Sequence, residues 1–174
     1  MLVPKLKVRI YDDPCLRAKS EPVEEIGPGE RMLIQAMLAA MHEHKGIGLA
    51  APQIGINRQI FVADIGDGPI AVINPKILKA SGSDVMEEGC LSLPGIHVNV
   101  KRAGKISVRY MNEKGRTVER EYTELMARVF QHESDHLDGK LIIDYAGRKD
   151  KEKLKPLLAE LTARPQAPSP KPKK

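Results

Sequence analysis

The chain has 174 residues, of which 41% are hydrophobic and 29% charged, and a formal net charge of +5. That balance excludes a disordered chain and suits one globular domain able to bury a sizeable core. Aromatic residues make up 3% and Trp is absent, so the core must be aliphatic and Met-rich, and few rings remain to stack single-stranded bases.

Residues 1 to 28 are irregular, with Pro4, Pro14, Pro22 and Pro28 interrupting any long element. The opening "MLVPKLKVRIYDDP" has charges and prolines where the apolar core of a signal peptide would run, and no stretch approaches a membrane span. The expected setting is therefore the cytoplasm, with no membrane and no DNA partner and with Cys15 and Cys90 as free thiols. From about Glu30 to Lys45, Leu33, Ile34, Met37, Leu38 and Met41 recur at helical spacing, and Gly46 closes that helix. "GIGLAAPQIG" follows as a loop of small residues. "RQIFVADI" and "IAVINPKIL" read as strands, and "GKISVRYMN" and "RTVEREY" as two more joined by a turn at 113–115. Thr123 is placed to cap a second helix running to about Asp138 and closed by Gly139. On it Leu125, Val129, His132 and His136 share one stripe, which reads as buried. "GRKDKEKLKPLLAELTA" reads as a short last helix. The final eleven residues carry Arg164, Lys171, Lys173 and Lys174 among prolines and show no periodicity, the pattern of a disordered tail. Such a tail suits solubility or contact with a polyanion such as ribosomal RNA.

"FQHESDHLDG" at 130–139 holds the chemistry. His132 and His136 lie four apart on one helical face and can share a metal ion, while Glu133 between them lies near the ion without needing to bind it, as a general base does. Two neutral imidazoles suit Zn, Fe(II), Co or Ni. Zinc proteases with this H-E-x-x-H spacing take a third ligand downstream, where Asp138 points elsewhere on the helix and Asp144, Glu152 and Glu160 are weak candidates. Upstream, "EEGCLSLPG" at 87–95 offers Cys90. A thiolate and two imidazoles make a three-ligand site with one vertex left for water, the mark of a catalytic metal. The small residues Gly46, Gly48, Ala50 and Ala51 of the first loop leave backbone bare for an extended peptide to lie against.

Together, "GIGLAAPQ" at 46–53, "EGCLS" at 88–92 and "QHESDH" at 131–136 resemble the three motifs of the peptide deformylases, in the same order and at similar spacing. The resemblance spans roughly residues 5 to 160 and includes "INP" at 73–75 and "HLDGKL" at 136–141. It implies an α+β fold with mixed or antiparallel β-sheets packed around a central helix that carries the H-E-x-x-H pattern, an N-terminal helix and a short C-terminal one. It implies one catalytic domain over 1–162, followed by the basic Pro-rich tail over 163–174. The implied activity is metal-dependent hydrolysis of the N-formyl group from formyl-methionine on nascent polypeptides, releasing formate. The implied metal is Fe(II), replaceable by Zn(II), Ni(II) or Co(II), on Cys90, His132 and His136. Such an ion lowers the pKa of water from 15.7 to about 7. Glu133 is then the general acid/base, with the Gln53 side chain and the Leu91 N–H stabilising the oxyanion. Gly48 pairs with the peptide backbone. Ile47, Leu125 and Val129 are the candidate walls of the pocket for the substrate methionine, with His132 nearby, and Gly46 is a further candidate substrate-binding residue. His97 stands where many members carry Arg, and either meets the substrate chain or is a surface histidine. Arg128 either tunes the residues after methionine at the pocket mouth or is solvated. A monomer is expected, with the ribosome as a partner of the basic C-terminal region. The competing readings are an H-E-x-x-H metalloendopeptidase and a non-catalytic metal- or ribosome-binding module.

Overall fold

The computed structural model describes residues 6–163, so the expected tail lies, apart from Ala163, outside the described residues. In chain order the elements are α1 (Pro28–Glu43), β1 (Gly48–Ala50), β2 (Ile60–Ala63), β3 (Ile70–Ser81), β4 (Asp84–Gly89), β5 (His97–Arg102), β6 (Lys105–Met111), β7 (Thr117–Thr123), α2 (Glu124–Leu137) and α3 (Arg148–Thr162). Among the described residues the fold is α+β, with three α-helices and two antiparallel sheets. One sheet has five strands in the order β1-β2-β3-β6-β7, and β4 and β5 form the other alone.

The "IFVA" run of β2 is buried on both faces, which requires a layer on each side. Its alternation sorts those layers. Phe61 and Ala63 join the core formed by α2, with Met126, Ala127, Val129 and Phe130, whereas Ile60 and Val62 join the core formed by α1, with Ile34, Met37 and Met41. The sheet is thus held between the two helices at its β1–β2 end. Phe130, fully buried, meets the Phe61 ring edge-on at 5.0 Å and lies against Tyr110 and Tyr122. Four of the six aromatics of this chain are therefore gathered under α2. A third cluster, with Leu93, Ile96, Val98 and Val100, packs the β4–β5 hairpin on Leu141–Ile143 and on Leu154 and Leu161 of α3.

The helices form as their spacing predicts, each end within about two residues of expectation. α1 starts two residues earlier than the periodicity alone indicates, with Pro28 in its first turn and the Gly27 N–H donating to Glu30 Oε2 at 2.9 Å. Gly139 follows α2 at φ +70°, and a Cβ there would lie 2.4 Å from the Arg17 carbonyl oxygen, so both conformation and space demand glycine. "INP" has a structural role. Asn74 accepts from the Val23 N–H (2.9 Å) and donates to the Val23 carbonyl (2.8 Å), fastening the N-terminal arm to β3.

Two expectations change. "GIGLAAPQIG" is not all loop: Gly48–Ala50 is an edge strand paired with Ala63–Phe61, followed by a 3-10 turn over Ala51–Ile54. Leu125 is not buried with the rest of its stripe but 40% exposed, because it opens onto a cavity.

Candidate active site

β4 ends at Gly89, and Cys90 starts the turn to β5, which is closed by the Leu93 N–H on the Cys90 carbonyl at 2.9 Å. α2 presents His132 and His136 to that turn. Cys90 Sγ lies 3.3 Å from His136 Nε2, and the two imidazole Nε2 atoms are 3.2 Å apart. Ligands bound at 2.0–2.3 Å with tetrahedral angles stand about 3.4–3.7 Å from one another, so the donors converge as a shared ion requires. Among the described residues these three are the group of His, Cys and carboxylate side chains that could hold a metal. Two of the downstream acids are engaged elsewhere: Asp144 pairs with Arg17, and Glu152 with Lys155.

The chemistry of the donors fits a cation. His132 Nδ1 meets Glu88 Oε2 at 2.9 Å, which orients the ring and leaves Nε2 facing Cys90 and His136. Two Nε2 atoms at 3.2 Å cannot both carry protons, so a proton or a metal ion belongs between them. Burial opposes charge on His132, yet its contacts with Cys90, Glu88 and Glu133 carry its pKa up to about 10. His136 is pushed well below the ordinary histidine value, by burial and then by the neighbouring His132 and Arg102 cations. An imidazole held neutral is a ready ligand, and a site that draws a proton onto its partner will draw a metal ion there instead.

Sequence reasoning did not single out Glu88, although it lies inside the "EGCLS" motif. It is 7% exposed. Its Oε1 accepts from Arg102 Nε (2.7 Å) and from Arg128 (2.7 Å), and its Oε2 accepts from Arg102 (2.9 Å) besides meeting His132. Burial works against its ionisation, but the His132 and Arg102 contacts win and hold the carboxyl down at about 2. Arg102 reaches on to Asp135 Oδ2 at 2.8 Å, and Asp135 also accepts from Tyr145. Arg128 borders the cavity but is not solvated: it is 5% exposed and engaged by Glu88 and by the backbone of β4 and β5.

Glu133 is 4% exposed, and its Oε2 has no hydrogen-bond partner. Burial lifts its pKa to about 7, against the pull of His132 and Arg102. An acid that is half ionised near neutrality, with one oxygen unengaged, is suited to moving a proton. Gly48 makes room for it: a Cβ at residue 48 would stand 2.3 Å from Glu133 Oε1. Gln53 is 1% exposed. Its Oε1 accepts from the Ala50 N–H at 2.8 Å, which turns its NH2 towards Cys90 Sγ (3.5 Å) and Ser92 Oγ (3.2 Å). A Cβ at Gly46 would meet Leu91 Cδ1 at 2.9 Å, so the first two motifs lie against each other.

A cavity of about 530 Å³ opens here, lined by Gly46, Ile47, Gly48, Gln53, Cys90 and Leu91 and by Leu125, Val129, His132 and Glu133, with Met86 and Arg128. All the sequence-predicted site residues except His136 therefore border one space, and His136 lies fully buried behind it. Ile47 (44% exposed), Leu125 and Met86 (45%) form its apolar rim. The side chains of His97, His42 and Cys15 fall outside. His97 is exposed on β5, its ring against Gly89, and does not line the cavity. His42 faces Asp64 on the surface at 3.2 Å. Cys15 donates to the Pro52 carbonyl at 3.2 Å, and burial, then Asp13, raises its pKa to about 12, as befits a packing thiol.

The family model described as polypeptide deformylase matches residues 5–152. The peptide deformylase of Thermotoga neapolitana is 49% identical over 139 residues, covering 79% of this chain and 85% of that protein. That of Clostridium botulinum is 49% identical over 142 residues, 82% of this chain and 97% of that protein. The crystal structure of peptide deformylase from Thermotoga maritima superposes with a TM-score of 0.81 at 46% identity, covering 83% of this chain and 99% of that one. No described helix is long and apolar enough to cross a membrane. With this likeness running through the whole of the site-bearing region, the chain belongs to the polypeptide deformylase family.

Proposed function

We propose that this chain hydrolyses the N-formyl group from formyl-methionine at the head of nascent polypeptides and releases formate. Cys90, His132 and His136 are the proposed holders of one divalent ion, Fe(II) as the native metal, with Zn(II), Ni(II) or Co(II) able to replace it. When bound, the ion supplies Lewis acidity and a water acidic enough to attack near pH 7. Glu133 takes the proton of the attacking water at Oε2 and later returns it to the leaving amine. The Gln53 NH2, fixed by the Ala50 N–H, and the Leu91 N–H face the oxygen on which charge develops. One such donor is worth about 3–4 kcal/mol in the transition state. Gly48 and the edge strand β1 offer backbone to the substrate chain, and the methionine side chain enters between Ile47, Leu125 and Val129. α2 is the central element to which both halves of this machinery are referred.

The observation that carries this reading is the convergence of Cys90 Sγ on two imidazole Nε2 atoms beside a buried carboxylate oxygen without a partner. A metalloendopeptidase is disfavoured by the same observation, because a thiolate stands where those enzymes place a downstream acid or histidine. We further propose a single catalytic domain over 1–162, a monomer working in the cytoplasm, and the basic tail as a contact to the ribosome. The deciding experiment is formate release from formyl-Met-Ala peptides by protein loaded anaerobically with Fe(II) or Ni(II). Formate release with the peptide bonds left intact is expected. Internal cleavage of unformylated peptides, or metal-loaded protein that releases no formate, would overturn the reading.

A further inference from the structure

Cys90 and the two histidines arrive on parts of the fold that share no sheet. The β4–β5 hairpin, which delivers Cys90, is not hydrogen-bonded to the five-stranded sheet. Its buried apolar side chains (Val98 and Val100, with Leu93 and Ile96 of the turn) belong to the cluster beneath α3, and none belongs to the cluster on the apolar face of α2. The join between hairpin and ligand helix is therefore polar, and Arg128 is at its middle. It sits one helical turn before His132, on the same face. Its Nη1 donates to Glu88 Oε1 (2.7 Å) and to the Val100 carbonyl (2.9 Å), while its Nη2 donates to the Asp84 carbonyl (2.9 Å) and to Asp84 Oδ2 (3.2 Å). One guanidinium thus grips β4 at two places and β5 at a third.

We propose that Arg128 is a positioning residue: it clasps the β4–β5 hairpin onto α2, and so sets the spacing between Cys90 and the histidine pair and the width of the cleft between β4 and Gly46–Gly48. This rests on the reading of Cys90, His132 and His136 as metal ligands. Two lines of geometry support it. Glu88 Oε1 is shared by Arg128 and Arg102 while Oε2 meets His132, so the arginines on one edge of the carboxylate fix the imidazole on the other. The contact is also a fork: both Nη atoms are used, each on two acceptors, which a lysine cannot reproduce. Arg102 supports Glu88 from β5 and ties that strand to α2 at Asp135 Oδ2 (2.8 Å), whereas Arg128 reaches from α2 to both strands of the hairpin at once.

The test uses the full chain loaded with Co(II), whose visible bands report ligand geometry. Arg128→Met keeps the length of the stem and removes the fork; Arg128→Lys keeps the charge. For Arg128→Met, loss of Co(II) to a chelator should be at least about tenfold faster, the bands should shift, and KM for formyl-Met-Ala should rise about tenfold. Arg128→Lys should fall between that variant and the parent chain. A folded Arg128→Met with the parent's spectrum, metal-loss rate and KM would overturn the clasp, even with a lowered Tm, since Arg128 would then only stabilise. Should Arg128→Met not fold, Arg128→Lys decides: parent values in all three readouts overturn the proposal, and a faster metal loss with shifted bands supports it. Spectrum and metal loss do not depend on deformylation. Parent chain that binds Co(II) and releases no formate would defeat the functional reading while the clasp is decided separately.

Discussion

Gly48→Ala isolates one distance on which the proposed proton transfer depends. A methyl group at residue 48 would stand 2.3 Å from Glu133 Oε1, 2.8 Å from its Cδ and 2.9 Å from its Cγ. Ordinary carbon–oxygen contact begins near 3.2 Å, so the carboxylate must retreat by about 0.9 Å. Cδ and Cγ are in contact as well as Oε1, so rotating one oxygen away does not relieve the clash. α2 cannot absorb the shift cheaply, because Phe130 and Val129 are locked in the core beneath the sheet. A displacement near 1 Å of a group that must meet a proton costs about 100-fold in rate, or about 2.7 kcal/mol of barrier. The expected result is a kcat for formate release about 100-fold lower, with metal content unchanged, because the three atoms nearest the new methyl all belong to Glu133 and none to Cys90, His132 or His136. Metal content, thermal stability and steady-state kinetics on one preparation separate these effects. A Gly48→Ala protein with full metal and kcat within threefold of the parent would refute the claim that Glu133 must occupy its present position.

Three further outcomes are expected. Glu133→Ala should keep its metal, as measured by elemental analysis, and lose turnover; retained formate release would remove Glu133 from the chemistry. Phe130→Ala empties the aromatic group under α2 and should cost about 3–5 kcal/mol in urea unfolding, with a loss below 1 kcal/mol contradicting its place in the core. Burial tends to raise the Asp144 pKa, but the Arg17 contact and the Leu141 N–H lower it below the ordinary aspartate value, so the group stabilises the fold above the unfolded-state pKa and loses that contribution as pH falls through its folded value. Both partners are about 40% exposed, so the screened contribution of the pair is about 0.5 kcal/mol. The stability gap between the parent and Arg17→Ala should close in acid; a gap that is constant down to pH 2 would contradict the ion pair.

The sequence by itself determined whatever is set within a few residues. α2 and its histidine pair were legible because i and i+4 share a face on any helix, and β2 because an unbroken apolar run needs cover on both sides. The ligand trio, Gln53 and the pocket residues were named through the resemblance of three short motifs to a known family, and the fold gathers them round one cavity. Tertiary structure alone decided the rest. Glu88 pairs with Arg102 across 14 positions and with Arg128 across 40, and neither separation leaves a periodic trace in the chain. Small residues in "GIGLA" signalled a close approach, but only the packed fold shows that Gly48 makes way for Glu133 and Gly46 for Leu91. Leu125 looked like core because it shares a stripe with Val129, and it is exposed because that stripe passes out of the core into the cleft. Local geometry is written in spacing; the partners of a buried charge are fixed only when distant segments exclude water together, and it is that exclusion which makes the pairing of Glu88 obligatory.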